Sequence, residues 1–168
     1  SLLHPPPQPP PLFLRFNSSL YSPVFLYLIA RYVTPRPGFS LQAVHVHHGL
    51  NPKADQWLDF CAQICEKVSV PFTAERVEIN RSSRQSLEDL ARQARYEVFR
   101  KHLCAQGTLL TAHHQDDQLE TLLLALKRGS GPRGLSAMPA HTVFASGYLF
   151  RPLLHFSRQQ LATWAADR

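Results

Sequence analysis

The stretch TLLTAHHQDDQLETLLLALKRGSG, residues 108–131, decides the fold. Its first five residues, Thr108 to Ala112, form a short β-favouring run that reads as a buried strand. From about Asp116 to Arg128 the leucines recur at helical spacing. Acids stand at the start of this segment and Lys127 and Arg128 at its end, the charge order that a helix dipole favours. Glycines between Gly129 and Gly134 then stop the helix. A buried strand running straight into a helix is the repeating unit of a parallel sheet with crossover helices.

The same alternation extends in both directions. Leu12 to Phe16 reads as a strand, and Val24 to Val33 as a helix begun by Pro23, a residue tolerated in a first turn. Leu41 to Val46 is the next strand. Ala54 to Val68 places Trp57, Leu58, Cys61, Ile64, Cys65 and Val68 on one helical stripe, and Phe72 to Ile79 alternates as a strand does. Ser86 followed by Asp89 predicts a capped helix to about Leu103, with Leu87, Leu90, Ala91, Ala94, Val98 and Phe99 inward and Arg84, Arg92, Arg95 and Arg100 outward. Tyr148 to Arg151 is the last strand, followed by a helix from Ser157. The expected architecture is α/β: an open, mostly parallel five-stranded sheet with helices on both faces, Rossmann-like, and without internal repeats. Residues 1–11, SLLHPPPQPPP, cannot continue a helix or central strand and read as an extended tail, either a leader or a ligand for a proline-recognition module. Residues 12–168 read as one domain.

The 168 residues suffice for one core, and 44% of them are apolar. Eighteen Lys and Arg against twelve Asp and Glu give a formal charge of +6, which favours a polyanionic partner such as nucleic acid. Cys61, Cys65 and Cys104 are odd in number and lack paired metal spacing, as expected of thiols in a reducing compartment. No stretch approaches the roughly 18 to 20 apolar residues of a membrane span, and the start lacks the pattern of a secretion signal. The expectation is a cytoplasmic protein without a membrane partner.

In an open sheet of this kind ligands bind beyond the carboxyl ends of the strands, so those segments are where chemistry is expected. Thr111 to Thr121 carries His113, His114, Asp116 and Asp117 at a strand end and helix start. Two adjacent acids there can hold a divalent cation or orient an amine; the alternative is that they cap the helix. His45 to Pro52 puts His45, His47 and His48 at another strand end, with His45 and His47 facing one side of the sheet. Zinc is one reading of these histidines, but the spacing matches no common zinc pattern. Lys127, Arg128 and Arg133 lie among glycines and suit either a helix C-terminus or a phosphate backbone.

HVHHGL, EDLARQARYEVF, TAHHQDDQLETLLLALKRGSGPRGLSAM and LFRPLLHFSRQQL, in this order, resemble the tRNA(Ile)-lysidine synthases of the PP-loop ATP pyrophosphatase superfamily, from about Phe16 onward. The resemblance implies an adenine nucleotide alpha hydrolase-like fold. It also implies an ATP-dependent carbon–nitrogen ligase that adenylylates C2 of the wobble cytidine of an isoleucine tRNA with a CAU anticodon, after which L-lysine displaces AMP. Carried onto this chain, it implies ATP binding by Asn17, Ser18, Ser19, Leu20, Tyr21, Ser22, His45, His47 and His113. Asp116, Asp117 and Glu120 would serve cytidine and lysine, with Asp117 also holding magnesium, and Arg92, Arg95, Arg128 and Arg133 would contact the tRNA. Other readings are a tRNA thiolase of the same superfamily, which needs cysteines near the site, and a tRNA-binding relic without catalysis.

This chain departs from the family at the loop after the first strand. Members carry Ser-Gly-Gly-x-Asp-Ser, whereas this chain has Asn17-Ser18-Ser19-Leu20-Tyr21-Ser22. Serines add Cβ atoms where backbone must approach phosphate, Tyr21 replaces an acid, and Pro23 removes an amide. Each change is reachable by one nucleotide substitution, and the expected consequence is loss of turnover. The chain also ends in the helix after the last strand, without the tRNA-binding domains that family members carry, so recognition of a whole tRNA is not expected of it.

Overall fold

A computed structural model describes residues 10–17, 19–79, 86–103, 106–132 and 136–167. Eleven regular elements alternate along the chain. They are β1 (Leu12–Arg15), α1 (Tyr21–Val33), β2 (Leu41–His47), α2 (Ala54–Lys67), β3 (Phe72–Arg76), α3 (Leu87–His102), β4 (Thr108–Leu110), α4 (Gln115–Lys127), β5 (His141–Phe144), β6 (Gly147–Phe150) and α5 (Arg158–Ala166). The strands form one sheet in the order β3-β2-β1-β4-β6-β5, parallel except for the β5–β6 hairpin.

The mostly parallel sheet is thus as expected, with one strand added. β5 escapes a sequence reading because it has only four residues, and its turn, Ala145-Ser146, lacks the Asn-Gly or Asp-Gly signal of a tight hairpin. Ala145 nonetheless adopts the positive φ, +50°, that such a turn requires. β3 is shorter than expected, ending at Arg76 opposite His47, where its β2 partner ends.

The two sheet faces are covered differently. Leu14, Phe16, Ala43 and Leu110 pack with Phe25, Leu26 and Ala30 of α1, Cys61 and Cys65 of α2 and Leu161 of α5. On the opposite face Phe13, Val44, Val46, Leu109 and Leu149 pack with Val98 and Phe99 of α3. α3 begins at Ser86, whose hydroxyl accepts the Asp89 amide at 3.1 Å, as the Ser-x-x-Asp spacing predicts. Leu87, expected inward, is 40% exposed because the first turn of α3 projects past the sheet. α4 departs more: none of its residues is buried, and Leu119, Leu123, Leu124 and Leu126 are all exposed. It ends where the glycines predict, with Gly129 at φ +65° and the Ser130 amide donating back to the Ala125 carbonyl at 3.0 Å.

β6 approaches the loop before β4 so closely that only glycine fits at position 147. A Cβ there would lie 2.1 Å from the Gly107 carbonyl oxygen, which is backbone and cannot rotate away. Gly147→Ala is therefore expected to cost about 2 kcal/mol and lower the melting temperature by about 4 to 8 °C. An unchanged thermal unfolding curve would show that the two segments separate easily.

Candidate functional site

The sheet order creates one topological switch point. From β1 the chain moves outward to β2 and β3, then returns to β4 on the other side of β1, so loops diverge at the carboxyl ends of β1 and β4 and leave a crevice. A cavity of about 280 Å³ lies there, lined by Arg15, Asn17, Ser19 and Tyr21 from the β1 side, Thr111, Ala112, His113, His114 and Asp117 from the β4 side, and Arg158 from the start of α5. A second cavity of about 180 Å³ adjoins Arg15, Phe16 and Asn17, bounded by His45, Val46, His48, Arg95 and Phe99.

The loop after β1 is held by its own side chains. Asn17 Oδ1 accepts the Ser19 amide at 3.1 Å and also the Ser22 hydroxyl. Ser22 Oγ in turn accepts the Asn17 amide at 3.4 Å and lies 3.2 Å from Ser19 Oγ. The Ser22 amide donates to the Ser19 carbonyl at 3.2 Å. The Asn17, Ser19 and Ser22 amides and the Ser22 hydroxyl are therefore engaged within the loop. Tyr21 packs edge-on against His114, with ring centroids 4.8 Å apart, while Leu20 is exposed. Ser18 lies outside the described residues.

At the β4 side the capping reading holds for Asp117. His114 caps α4: its Nδ1 accepts the Asp117 amide at 3.4 Å, and Asp117 Oδ2 accepts the His114 amide at 2.8 Å. Asp116 Oδ2 accepts the Arg158 amide at 2.7 Å, tying α4 to α5 and holding the Asp116 carboxyl below the usual range. Glu120 is exposed on α4 and does not line the cavity. His113 Nδ1 lies 2.8 Å from Thr111 Oγ1. Burial, and then the charge of Arg15, push the His113 imidazole down to about 4, so it is neutral at pH 7.

The histidines of β2 are buried as the alternation predicts. His45 Nδ1 lies 2.9 Å from the Phe16 carbonyl, and burial lowers its pKa. His47 Nδ1 accepts the Gly49 amide at 3.2 Å, and Nε2 is 3.2 Å from Asp55 Oδ1. No group of three or more His, Cys, Asp or Glu suited to a metal forms among the described residues.

Arg95, expected on the outer face of α3, instead turns toward this strand end, with Nη2 3.5 Å from His48 Nε2. Arg92 does face outward and lines a cleft of about 690 Å³ with Tyr96, Arg100, Phe144 and Arg151. Arg128 is exposed at the far end of α4; Arg133 lies outside the described residues.

The profile described as PP-loop domain matches residues 18–168. The chain belongs to the PP-loop domain family. Among curated relatives of this PP-loop domain, the tRNA(Ile)-lysidine synthase of Vibrio cholerae is 49% identical over 154 residues, 92% of this chain and 35% of that protein. The protein of the same name from Histophilus somni is 48% identical, and that from Escherichia coli O157:H7 is 46% identical, again over 92% of this chain. The chain thus spans little more than a third of the length of these relatives. Among solved structures, the U34-tRNA thiolase NcsA from Methanococcus maripaludis has the same fold, with a TM-score of 0.76 over 94% of this chain and 55% of that one, at 14% identity.

Within the PP-loop domain, the crevice gathers Asn17, Ser19, Tyr21, His113 and Asp117 and brings His45 alongside, while Glu120, Arg92 and Arg128 stay apart from it. The sequence reading missed Arg15, Thr111, His48 and Arg158 as site residues. Arg15 carried a signal, being the lone charge in the apolar run LFLRF. Arg158 stood within the segment LFRPLLHFSRQQL without being singled out, and the packing of α5 brings it to the crevice.

Proposed function

We propose that this chain is the nucleotide-binding part of a tRNA(Ile)-lysidine synthase-type ligase. Its reaction would use ATP to activate the wobble cytidine of an isoleucine tRNA with a CAU anticodon for attack by L-lysine. The observation that carries this reading is the 280 Å³ cavity at the switch point, lined by the same strand-end segments that the resemblance assigns to ATP. The relatives' shared name supplies the substrate class. A cytoplasmic location goes with this reading, and no described helix is long and apolar enough to cross a membrane.

In this reading His45, His47 and His113 lie beside the nucleotide. His113, neutral at pH 7, would offer hydrogen bonds without adding charge. Asp116 and Glu120 share a helical face one turn apart and would receive the lysine ammonium, while Asp117 holds the α4 start in register. Arg92, with Tyr96 and Arg100 in the large cleft, forms the mixed cationic and aromatic surface that suits single-stranded nucleic acid. Arg95, which borders the smaller cavity, and Arg128, exposed at the end of α4, would be further tRNA contacts in this reading, as would Arg133 by the resemblance alone.

Magnesium fits the residues poorly. Asp117 is the one carboxylate lining the cavity, and one of its oxygens already accepts the His114 amide. Magnesium prefers near-octahedral oxygen ligation through carboxylates and phosphates, whereas here Tyr21 and two arginines supply the surroundings. The charge available to phosphates from this chain is therefore that of its arginines.

The test is ATP–pyrophosphate exchange with the anticodon stem-loop of the isoleucine tRNA and lysine. Slow exchange that depends on cytidine at the wobble position supports the ligase reading. Exchange of equal rate with uridine there would sink it. A thiolase reading gains nothing from Cys61 and Cys65, which are buried in α2 with thiols pushed up to about 12 and about 11. Cys104 lies outside the described residues. Stem-loop binding that weakens with salt and gives no exchange would favour the non-catalytic reading instead.

A further inference from the structure

Arg15 sits at the last position of β1, where its side chain lies between α3 and the crevice and lines both the 280 Å³ and the 180 Å³ cavities. Its Nε is buried without a hydrogen-bond partner. Among the described residues no carboxylate comes within ion-pair distance of it. A half-buried cation whose Nε is sealed from water without an anion is costly unless something compensates it. The surroundings are mainly cationic: Arg95 borders the smaller cavity and Arg158 closes the larger one, while Asp117, which also lines the larger one beyond ion-pair distance, offsets only part of that charge. Burial, with Arg95 next, pushes the Arg15 pKa down to about 10, which still leaves the guanidinium charged at pH 7.

The neutral groups lining the same space are hydrogen-bonding ones: the Ser19 and Thr111 hydroxyls, the Asn17 side chain and the His113 imidazole. Two guanidiniums and two hydroxyls around a cavity of this size match a tetrahedral oxyanion, or two linked ones. A guanidinium offers a planar fork of donors to such oxygens and retains its charge throughout the accessible pH range.

We propose that Arg15 is the anchoring cation for a phosphate-class anion, either inorganic pyrophosphate or the phosphate chain of a nucleotide, held in this cavity without a divalent cation. This rests on the nucleotide-binding reading of the crevice and changes how it works: the side chain of β1 takes over the role that the Ser19 amide, engaged here by Asn17, cannot fill. Ser19 and Thr111 supply the second set of contacts, and Arg158 closes the site from α5.

Calorimetric titration of inorganic pyrophosphate into the 168-residue chain in the presence of EDTA tests this, with parallel titrations of ATP and AMP. Pyrophosphate is expected to bind, with an affinity that excess magnesium does not raise. Arg15→Met, which keeps the length of the side chain and removes the charge, is expected to weaken binding about 30-fold, and Arg15→Lys by less, since a point charge replaces the fork. Lys67→Ala, at the far end of α2, controls for general charge and should leave binding unchanged. Thermal unfolding of each variant establishes that it is folded.

Tight ATP with weak AMP binding identifies the nucleotide's phosphate chain as the ligand, and pyrophosphate binding alone identifies the free anion; either supports the proposal. Binding that requires magnesium, equal affinity for AMP and pyrophosphate, an unaffected Arg15→Met or no binding overturns it. These titrations contain no tRNA or lysine, so their outcome is separate from that of the exchange assay.

Discussion

Replacing Asn17, Ser18, Ser19 and Tyr21 together by Ser, Gly, Gly and Asp is expected to raise ATP affinity at least 30-fold and to make binding depend on magnesium. The physical reason lies in where the loop's donors now go. The Ser19 amide and the Ser22 hydroxyl both point to Asn17 Oδ1, so a phosphate arriving at the β1 end meets donors already engaged. A hydrogen bond from an amide to a charged phosphate contributes roughly 1.5 to 3 kcal/mol, so freeing one such donor gives about 10-fold to 150-fold. An acid at position 21 also supplies a second carboxylate to the cavity, beside Asp117. The triple variant that keeps Asn17 should gain much less, because the side chain that captures the amide remains. Fluorescence or calorimetric titration of ATP across the two variants measures this. Equal affinities for wild type and the quadruple variant, with all chains folded, would show that the loop is not what limits nucleotide binding.

Lowering the pH from 7.5 to 5 should lower the melting temperature by about 10 °C, most of it traceable to two histidines. His113 faces Arg15, Asp117, Arg151 and His114; His48 faces Arg95, His45, Arg15 and His47. Burial is the larger cause in both, followed by the nearest arginine, and both imidazoles are pushed down to about 4 in the fold. In the unfolded chain they titrate near 6.5. Above about pH 7 both states are neutral and these groups leave stability unchanged. Between about 6.5 and 4 the unfolded chain takes up protons that the folded chain refuses, so stability falls as pH falls. At pH 5 the loss is about 1 to 2 kcal/mol for each histidine. His48→Gln and His113→Asn should each remove part of the acid slope while leaving the neutral-pH melting temperature less affected. An acid slope that persists in the double variant would assign it to other groups.

Much of the architecture was legible before any coordinates. The apolar runs at Leu12, Leu41 and Thr108 and the helical repeats between them predict parallel strands and crossovers, because strand and helix periods differ and are written locally. The capping of α3 by Ser86 and the stop at Gly129 are equally local, each needing only residues within a few positions. The crevice position follows from the same alternation, since a sheet with this order of elements opens at the carboxyl ends of its strands.

What the tertiary structure alone decided concerns partners distant in sequence or competing for the same atom. β5 exists because β6 offers it an edge, and α4 carries four exposed leucines that its helical sequence pattern does not foretell. Asp116 and Asp117 read alike in sequence. Only the fold sends one to the Arg158 amide and the other to the α4 cap. The altered loop was visible as a set of substitutions, but the occupation of its donors by Asn17 depends on side-chain rotamers. Arg15 appeared as one charge within an apolar strand. That it lies beside a crevice with Arg158 and no ion-paired acid is set by how β1, α3 and α5 meet, which strand and helix periodicity do not encode.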